Sequence, residues 1–570
     1  MAERRPSGAR SRVARAVLVG TVMSAVAAPA SPAASEPVTD VEVDGTVRVQ
    51  PAEEGAINVD GERAYRGQLT LYPDGLLVND VPMESYVEGI AEMPARWPLE
   101  ALKAQAVAAR TYAWWHATRA EDRRSDICPT TACQVYRGIG VVEDSGERWA
   151  EAVAATRGQV LQRDDGAPVL ARYHSTSGGR TFDNQEVFPS SGEHAALIGI
   201  DDPYDAVSPY HRWTVTFDRE LFDELLARGD QLAAVVPVAD VERIGDVDDP
   251  DATIAVTGDA GDTVEVGAGD LRDFLSTVAP AVRPADYPSR ADDGLRRLPT
   301  TVPTARYWIG LDDDEVVLEG RGFGHGVGMG QYGARGRAED GARYTEILEA
   351  YYGGTEPTTP EGLPSSIRVD LGTYAQLRLT GDTPVTIEGD GVSVERALGT
   401  WTATRTDGGW RLAAPDGTGA PLEASDTRAV DGLTGDDTAA VEVEVNKPVE
   451  LTLDVRADGT DQEPVLTRAL GVVDAGIHTA TWSFSDEAGD RVPAGEYAVT
   501  LRAEDAVGDV AGGPASVTVP APGDDAATDR ATDDDRRDTT STIALLVLAA
   551  TVLLPVALIV AWLSARKART

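Results

Sequence analysis

The stretch "AEMPARWP", residues 91–98, places one acidic side chain among apolar ones. Met93 and Trp97, together with two prolines, crowd Glu92. An apolar surrounding disfavours the charged form of a carboxyl group and so raises its pKa. A carboxyl group that stays protonated near neutral pH is suited to general acid catalysis. The pattern fits this interpretation and an incidental acid at a helix end equally well.

A second stretch, "RYHSTSGGRTFDNQEVF" at residues 172–188, runs from a strand-like segment into a loop of small polar residues. The loop could present hydroxyl or backbone N–H groups to a polar ligand such as a sugar. His174 and Ser175 suggest a base and a nucleophile, but adjacent residues on a strand point to opposite faces. Turn-stabilising chemistry and substrate contact therefore remain as alternatives for this loop.

A third stretch, "GRGFGHGVGMGQYGARG" at residues 320–336, is rich in regularly spaced glycines. Its segment 328–333 formally satisfies a dinucleotide fingerprint, which we take as accidental because no clear βαβ unit surrounds it. Spaced glycines instead allow close approach of the backbone to another strand or to a ligand. His325 and Gln331 would then be the polar groups exposed in the opening.

One helix is predicted directly after the first stretch. Apolar and small residues recur at helical spacing over Pro98–Arg119, and proline suits the first position of a helix. Lys103 and Arg110 are two turns apart on this helix and point roughly the same way. Glu84 and Glu88 precede the acid of the first stretch at intervals of four, and we expect them on a solvated face.

The remaining elements follow from alternation and turn signals. Residues 41–81 are predicted to form β-hairpins, and an α+β alternation continues to about residue 355. An acidic, proline-rich stretch over 245–305 is expected to be a surface excursion. Strands return over 366–413, and the clean alternation over 441–519 predicts a β-sandwich.

The two ends of the chain carry targeting signals. Residues 1–34 combine five arginines, a short apolar run and small residues, which indicates a secretory signal peptide. Residues 521–541 are predicted to be a disordered acidic tether. The apolar run 543–563 is long enough for a transmembrane helix, and the basic tail 564–570 would be cytoplasmic. The bulk of the chain is therefore expected on the outer, cell-wall side of the cell membrane.

Charge and cysteine content narrow the function classes. The formal net charge of −43 argues against a nucleic-acid partner. The two cysteines, Cys128 and Cys133, lie close together, so outside the cytoplasm a small disulfide loop is the default. A metal site built on them would need further ligands. A chain of 570 residues is expected to hold two to four domains.

Together these stretches resemble the stage II sporulation protein D family, which also includes amidase enhancers. The resemblance rests on "NDVPMESYVEGIAEMPARWPLEALKAQAVAARTYAWW", "CQVYRG", "YHSTSGGRTFDNQEVF", "SPYHRW" and "GRGFGHGVGMGQYGA…YYGGT", in order over about residues 65–355. It implies lytic transglycosylation of peptidoglycan glycan strands, preferentially strands stripped of stem peptides. Glu92 matches the catalytic acid of the family, and Lys103 and Arg110 match the basic pair on the helix after it.

The resemblance also shows one departure. Relatives often carry a zinc-binding histidine directly before the second cysteine, where this chain has Ala132. Zinc is therefore in doubt, a Cys128–Cys133 disulfide is favoured, and no cofactor is expected. In the mechanism that follows from this resemblance, we assign His174, Ser175, His325 and Gln331 to the wall of the substrate cleft.

The predicted fold class is an α+β catalytic domain of mixed helices and antiparallel strands, followed by all-β domains and the C-terminal transmembrane helix. The catalytic domain would span residues 41–356 and a β-rich linker domain residues 357–440. Residues 441–520 would form an immunoglobulin-like sandwich, because residues 486–505 resemble a module of the flagellar hook-capping type.

Three functions fit these features. The first is a membrane-anchored lytic transglycosylase acting on peptidoglycan glycan strands. The alternative is a non-catalytic peptidoglycan-binding protein that recruits or stimulates a cell-wall amidase. A surface adhesin built around the sandwich ranks third, because it leaves Glu92 unexplained.

Overall fold

The computed structural model describes residues 40–521, apart from 53, 121–122, 144–145, 192–193, 288–297, 313, 419, 431–437 and 458–462. The predicted signal peptide (1–34), transmembrane run (543–563) and tail (564–570) lie outside this part, as does nearly all of the tether (521–541). Among the described residues, no helix is long and apolar enough to cross a membrane.

Six strands open the described chain: β1 (Val41–Asp44), β2 (Val47–Pro51), β3 (Ala56–Val59), β4 (Arg63–Arg66), β5 (Gln68–Leu71) and β6 (Leu76–Pro82). Four helices follow: α1 (Met83–Glu88), α2 (Leu99–Ala117), α3 (Gly140–Glu143) and α4 (Glu147–Ala155). The predicted helix over Pro98–Arg119 is α2, with Pro98 at its N-cap. Small residues let α2 lie almost wholly inside the main hydrophobic core.

The middle of the chain alternates short strands and helices. Its elements are β7 (Val160–Leu161), β8 (Tyr173–His174), α5 (Asn184–Val187), β9 (Trp213–Asp218), α6 (Arg219–Leu226), β10 (Val238–Ile244), β11 (Thr253–Gly258), β12 (Thr263–Gly267), α7 (Ala268–Val282), β13 (Tyr307–Asp312), β14 (Glu315–Gly320), β15 (Met329–Gly330), α8 (Gln331–Glu339), α9 (Tyr344–Tyr351) and β16 (Pro357–Thr358). Short 3₁₀ turns occur at Pro189–Ser191, Pro203–Val207 and Leu232–Val235.

The segment from β9 to β14 has a hydrophobic core of its own. Its strands form two three-stranded sheets, β10-β11-β12 and β13-β14-β9. Phe217, Phe222 and Leu271 are completely buried among them. The expectation that residues 245–305 form a surface excursion is therefore wrong for the described part of that stretch, because β11, β12 and α7 help to build this core.

The next six strands return to the beginning of the fold: β17 (Ser366–Thr373), β18 (Gln376–Gly381), β19 (Val385–Gly389), β20 (Val392–Ala397), β21 (Thr400–Arg405) and β22 (Gly409–Ala413). They complete two six-stranded sheets, ordered β1-β22-β21-β18-β3-β4 and β17-β6-β5-β2-β19-β20. Residues 357–413 were expected in a separate linker domain, but these sheets join them to the N-terminal strands.

A last group of strands lies apart from these sheets: β23 (Arg428–Ala429), β24 (Ala439–Val445), β25 (Val449–Ala457), β26 (Leu466–Val473), β27 (Gly476–Trp482), β28 (Gly495–Glu504), β29 (Val510–Ala511) and β30 (Pro514–Val519). Its two antiparallel sheets, one around β24 and one around β25 and β28, enclose a shared core that contains Trp482. The immunoglobulin-like type of this unit stays a prediction.

The predicted fold class is wrong as a description of the described chain. That part of the molecule is mainly β, with several separate sheets and few helices, instead of an α+β domain followed by all-β domains. The prediction gave too much weight to α2, the one long helix that carries the motif residues. The C-terminal transmembrane helix in the same prediction belongs to residues outside the described part.

Candidate active site around Glu92

Glu92 lies in the short connection between α1 and α2. The backbone N–H of Ala91 donates to the carbonyl of Val135, and Ile90 forms an isolated bridge with Tyr136. These contacts hold the connection against residues 134–136. The acid is therefore positioned by a second segment of the chain and not by the helix alone.

Two hydrogen bonds end on Oε1 of Glu92. The backbone N–H of Val135 donates at 2.7 Å, and the hydroxyl of Tyr173 donates at 3.5 Å. Burial raises the pKa of Glu92, and these two hydrogen bonds lower it by less than burial raises it. The side chain is half-buried at a cavity of about 370 Å³. A carboxyl group with a raised pKa next to open space can deliver a proton.

The cavity wall agrees in part with the expected apolar surrounding. Met93 and Pro94 line the cavity beside Glu92, and Trp149 of α4 lines it from the other side. Trp97 instead packs edge-on against Tyr332, with ring centroids 4.7 Å apart. The tryptophan that shares the cavity with the acid is therefore Trp149, which lies 57 positions further along the sequence.

A chain of polar groups runs from the protein interior to Glu92. Tyr86 donates to the amide oxygen of Gln134 at 2.8 Å, and Gln134 donates to the hydroxyl of Tyr173 at 2.9 Å. Gln134 also donates to the carbonyl of Ala109 on α2 at 3.2 Å. Tyr86 and Gln134 are completely buried. This network fixes the hydroxyl that faces the acid.

The structure places Lys103 and Arg110 away from Glu92. Lys103 donates to Glu100 at 2.8 Å and lies 5.9 Å from the ring of Tyr344. Arg110 is completely buried and pairs with Glu84 at 2.7 Å. Their described contacts all go to residues other than Glu92.

The acidic residues before Glu92 are ion-paired. Glu84 also accepts hydrogen bonds from Nε of Arg110 and from the backbone N–H of Gly158, both at 3.0 Å. Glu88 pairs with Arg66 at 2.8 Å. The expectation of a solvated face is wrong for both, because each is partly covered and bound to an arginine.

The loop after β8 folds around an internal carboxylate. The backbone N–H groups of Gly178 and Gly179 donate to Oδ2 of Asp205 at 2.5 and 3.3 Å. Asp205 is completely buried, and its Oδ1 lies 2.7 Å from Nδ1 of His211. These N–H groups were considered as contacts for a sugar, but they are occupied within the protein. Ser175, in the same loop, lies 3.3 Å from the hydroxyl of Thr176.

The glycine-rich stretch approaches another strand. β15 pairs in parallel with β8. Gly328 has φ of 72°, and a Cβ there would lie 2.1 Å from the carbonyl oxygen of Arg172. Only glycine fits such a contact. The close approach brings His174 and His325 together, with ring centroids 5.5 Å apart.

The remaining predicted wall residues are mostly internal. His174 is buried, its Nδ1 lies 3.2 Å from the carbonyl oxygen of Val327, and burial holds its pKa well below the usual range. His325 is half-buried, and burial lowers its pKa to about 4. Gln331 is buried and donates to Gln105 at 3.4 Å. Both imidazoles are neutral near neutral pH.

Cys128 and Cys133 form a disulfide, with Cα atoms 5.5 Å apart. The bond closes a small loop directly before Gln134 and Val135, the residues that organise Glu92. In the described part of the chain, no group of three His, Cys, Asp or Glu side chains could hold a metal ion.

Sequence reasoning missed Tyr173 and Gln134. Both lie inside the motif stretches quoted above, as the tyrosine of "RYHS" and the glutamine of "CQVYRG". Their positions could have indicated a role, because Tyr173 lies in the expected strand-like segment and Gln134 directly follows the expected disulfide loop.

Comparison with known proteins identifies relatives of this chain. The family model described as Stage II sporulation protein matches residues 74–162, which contain Glu92, Gln134 and the disulfide. Stage II sporulation protein D of Bacillus amyloliquefaciens is 31% identical over 293 residues, covering 49% of this chain and 75% of that protein. Its counterpart in Bacillus subtilis (strain 168) is 29% identical over 295 residues, with the same coverage of 49% and 75%.

A protein named "Amidase enhancer" from Bacillus subtilis (strain 168) is 32% identical over 294 residues. The match covers 47% of this chain and only 39% of the enhancer. The resemblance seen in the sequence motifs is thereby confirmed, and the chain belongs to the stage II sporulation protein D family.

Proposed function

We propose that the chain is a peptidoglycan lytic transglycosylase in which Glu92 acts first as acid and then as base. Membership of the family connects the chain with the bacterial cell wall. The observation that carries the finer proposal is the Glu92 carboxyl group: its pKa is raised by burial, it borders a cavity, and two donors fix one of its oxygens.

The proposed reaction needs one carboxyl group. Protonated Glu92 gives its proton to the glycosidic oxygen between N-acetylmuramic acid and N-acetylglucosamine, and the C1–O bond breaks. The carboxylate then takes the proton of the C6 hydroxyl of the muramoyl residue. The C6 oxygen bonds to C1 and closes a 1,6-anhydro ring. Glu92 ends protonated, so no water is consumed.

The neighbours of Glu92 suit both steps. Burial favours the protonated form that the first step needs. The N–H of Val135 and the hydroxyl of Tyr173 stabilise the carboxylate that exists between the steps. A single oxygen, Oε1, takes both hydrogen bonds, and within the described residues none reaches Oε2. We assign the proton transfers to Oε2.

The other predicted site residues take supporting places in the proposal. Ser175 and His325 are only partly covered and are assigned to the cleft wall, whereas His174 and Gln331 support that wall from inside. Lys103 and Arg110 hold α2.

The proposed substrate places the protein on the outer side of the cell membrane, where peptidoglycan lies. The Cys128–Cys133 disulfide supports this placement, because disulfides persist in oxidising compartments.

Product masses test the proposal. Amidase-treated peptidoglycan is incubated with the wild-type chain, with Glu92→Gln and with Glu151→Gln, an exposed glutamate on α4 that serves as control. The wild type and the control are expected to release 1,6-anhydro ends, each lighter by one water molecule than a hydrolysed end. Glu92→Gln is expected to release none. Hydrolysed ends, or equal release by Glu92→Gln, would refute the mechanism.

Stimulation of an amidase is the second candidate, favoured by the relative named "Amidase enhancer". Under this alternative the chain binds peptidoglycan and accelerates a separate amidase without cutting glycan. Amidase rates on intact peptidoglycan, measured with the wild type and with Glu92→Gln, separate the two. Equal acceleration by both proteins, with no anhydro product, would select the enhancer role.

A further inference from the structure

Arg172 is a half-buried arginine whose guanidinium group has no acidic partner. Its Nε donates to Oδ1 of Asn184 at 3.1 Å, and its guanidinium carbon lies 4.0 Å from the ring centre of Phe188. Within the described residues, no carboxylate lies within ion-pair distance of it. Arg306, which is buried, and Arg368, which is partly covered, each pair with an aspartate at 2.6 Å.

A partly covered arginine without an ion pair is unexpected in an acidic chain. The sequence holds 94 acidic and 51 basic residues, so acidic partners are plentiful. A half-buried charge without a partner has lost part of its hydration and gains more than an exposed charge from an anion that binds it. The aromatic ring and the amide hold the group in one orientation, so its remaining N–H donors are preorganised.

The histidines and arginines near Arg172 carry positive charge or none. Burial, followed by the charge of Arg172, lowers the pKa of His116 and of His325 to about 4, so both imidazoles are neutral at neutral pH. The charges of Arg119 and Arg123 contribute to the lowered pKa of His116. Both arginines are exposed, and among the described residues neither has a carboxylate partner. An anion that binds Arg172 would also be attracted by the charges of Arg119 and Arg123.

Arg172 is close to the proposed catalytic acid. It directly precedes Tyr173, whose hydroxyl lies 3.5 Å from Glu92. The ring of Tyr112 lies 6.3 Å from that of Tyr173, and the pKa of Tyr112, raised mainly by burial, responds to the charges of both Arg172 and Glu92. A saccharide that extends from Glu92 along Tyr173 and Tyr112 would meet Arg172.

We propose that Arg172 is a specificity-determining residue that binds a carboxylate carried by the glycan strand close to the bond that Glu92 cleaves. The proposal rests on the proposed function of the same site. A guanidinium group matches the geometry of a carboxylate with parallel N–H donors. Peptidoglycan offers two sources of this chemistry: the lactyl carboxylate of a muramic acid without its peptide, and the carboxylates of an attached stem peptide.

Binding measurements on the full-length Glu92→Gln chain test the proposal without turnover. Calorimetry uses three tetrasaccharides of alternating N-acetylglucosamine and N-acetylmuramic acid: one with free lactyl carboxylates, one with neutral lactyl methylamides and one with stem peptides. The same titrations are made after adding Arg172→Gln, Arg172→Lys or, as control, Arg411→Gln, which removes an exposed arginine of β22.

A glycan that carries the recognised carboxylate is expected to bind at least about ten-fold more tightly than the methylamide glycan. This is the usual effect of one hydrogen bond to a charged group. Arg172→Gln is expected to remove this difference, Arg172→Lys to keep part of it, and Arg411→Gln to keep all of it. A preference for the free lactyl glycan identifies the lactyl carboxylate, and a preference for the peptide glycan identifies the stem. Either result supports the proposal that Arg172 binds a carboxylate of the glycan.

Equal affinity for all three glycans in the Glu92→Gln background would overturn the proposal. Equal weakening of all three by Arg172→Gln would do so too, because it would mark a purely structural role. Thermal melts of each variant check folding, and Arg172→Lys carries the test if Arg172→Gln does not fold. If the chain preferred carboxylate-bearing glycans but the wild type cleaved none, the proposed transglycosylase activity would be wrong and the role of Arg172 in binding would stand.

Discussion

The backbone N–H of Val135 and the carboxylate of Glu92 are joined by a 2.7 Å hydrogen bond. The donor lies two residues after Cys133, so the segment that holds the acid is itself anchored by the disulfide. Burial and this hydrogen bond act on the pKa of Glu92 in opposite directions, and burial is the larger effect. The acid is thus held near the balance that a group acting as acid and then as base needs.

Glu92→Gln is expected to gain stability relative to the wild type as the pH rises. The pKa of Glu92 is raised in the folded state above its usual 4.5, so the folded state binds the proton more tightly than the unfolded state. This contribution is fully present below the unfolded pKa and is lost as the pH rises through the folded pKa. Glutamine does not titrate.

Thermal unfolding of both proteins at about pH 4 and about pH 8 checks this expectation. The difference between them should shift in favour of Glu92→Gln at the higher pH. Glu151→Gln, at an exposed position, should show no such shift. If the stability of the wild type increased relative to that of Glu92→Gln as the pH rises, the argument that burial raises the pKa of Glu92 would be wrong.

Tyr173→Phe is expected to move the alkaline limb of the pH–activity profile to higher pH. The hydroxyl of Tyr173 lowers the pKa of Glu92, so its removal leaves the effect of burial less opposed. A protonated acid then persists to higher pH. The shift should be small, because the hydrogen bond is long at 3.5 Å. The rate should fall as well, because one partner that stabilises the carboxylate is lost.

The profile of anhydro-product release against pH, measured for the wild type and Tyr173→Phe, decides this point. Tyr344→Phe is a matched control, since its hydroxyl donates to Gln159 and not to the acid. A limb that moves to lower pH in Tyr173→Phe would show that the hydroxyl does not stabilise the carboxylate.

Local patterns predicted local features of this molecule. The helical spacing after Pro98 predicted α2, because it depends on neighbours in sequence. The apolar neighbours of Glu92 left a raised pKa and an incidental acid equally possible, and the structure shows the pKa raised by burial. The role of Arg110 could not be predicted in this way. Helical spacing shows which residues share a face, but whether that face meets a cleft or the partly covered Glu84 depends on α1.

Pairing between distant strands could not be predicted either, because sequence patterns describe only local neighbours. Val43 lies opposite Trp410, and Ile57 lies opposite Gly381. Alternation of apolar residues marks each strand without naming its partner. The division of the chain after residue 356 therefore missed that both six-stranded sheets need strands from each side of it. The partner of Glu92, Tyr173, was hidden likewise, because 81 positions separate them.

Arg110→Met is expected to lower the free energy of unfolding by about 3–5 kcal/mol, the usual effect of removing one partner of a buried ion pair. Arg110 is completely buried and makes two hydrogen bonds to Glu84, so the variant leaves that carboxylate without its cation. The double variant Glu84→Gln with Arg110→Met should lose less, because no unpaired charge remains. Urea unfolding of the three proteins measures the difference.

Arg66→Met serves as the comparison, because it breaks the more exposed pair with Glu88. Its effect should stay within about 1 kcal/mol, as for surface ion pairs. If Arg110→Met were as stable as the wild type and lost only activity, Arg110 would act on substrate and the buried-pair interpretation would be wrong.

Replacing both Cys128 and Cys133 by serine is expected to lower the free energy of unfolding by about 2 kcal/mol, as for a disulfide that closes a short loop. Activity should fall further than stability alone explains, because the loop leads directly into Gln134 and Val135, which orient Tyr173 and Glu92. Anhydro-product release at a temperature where the variant is fully folded separates the two effects. Full activity of the folded variant would show that the segment holds Glu92 without the disulfide.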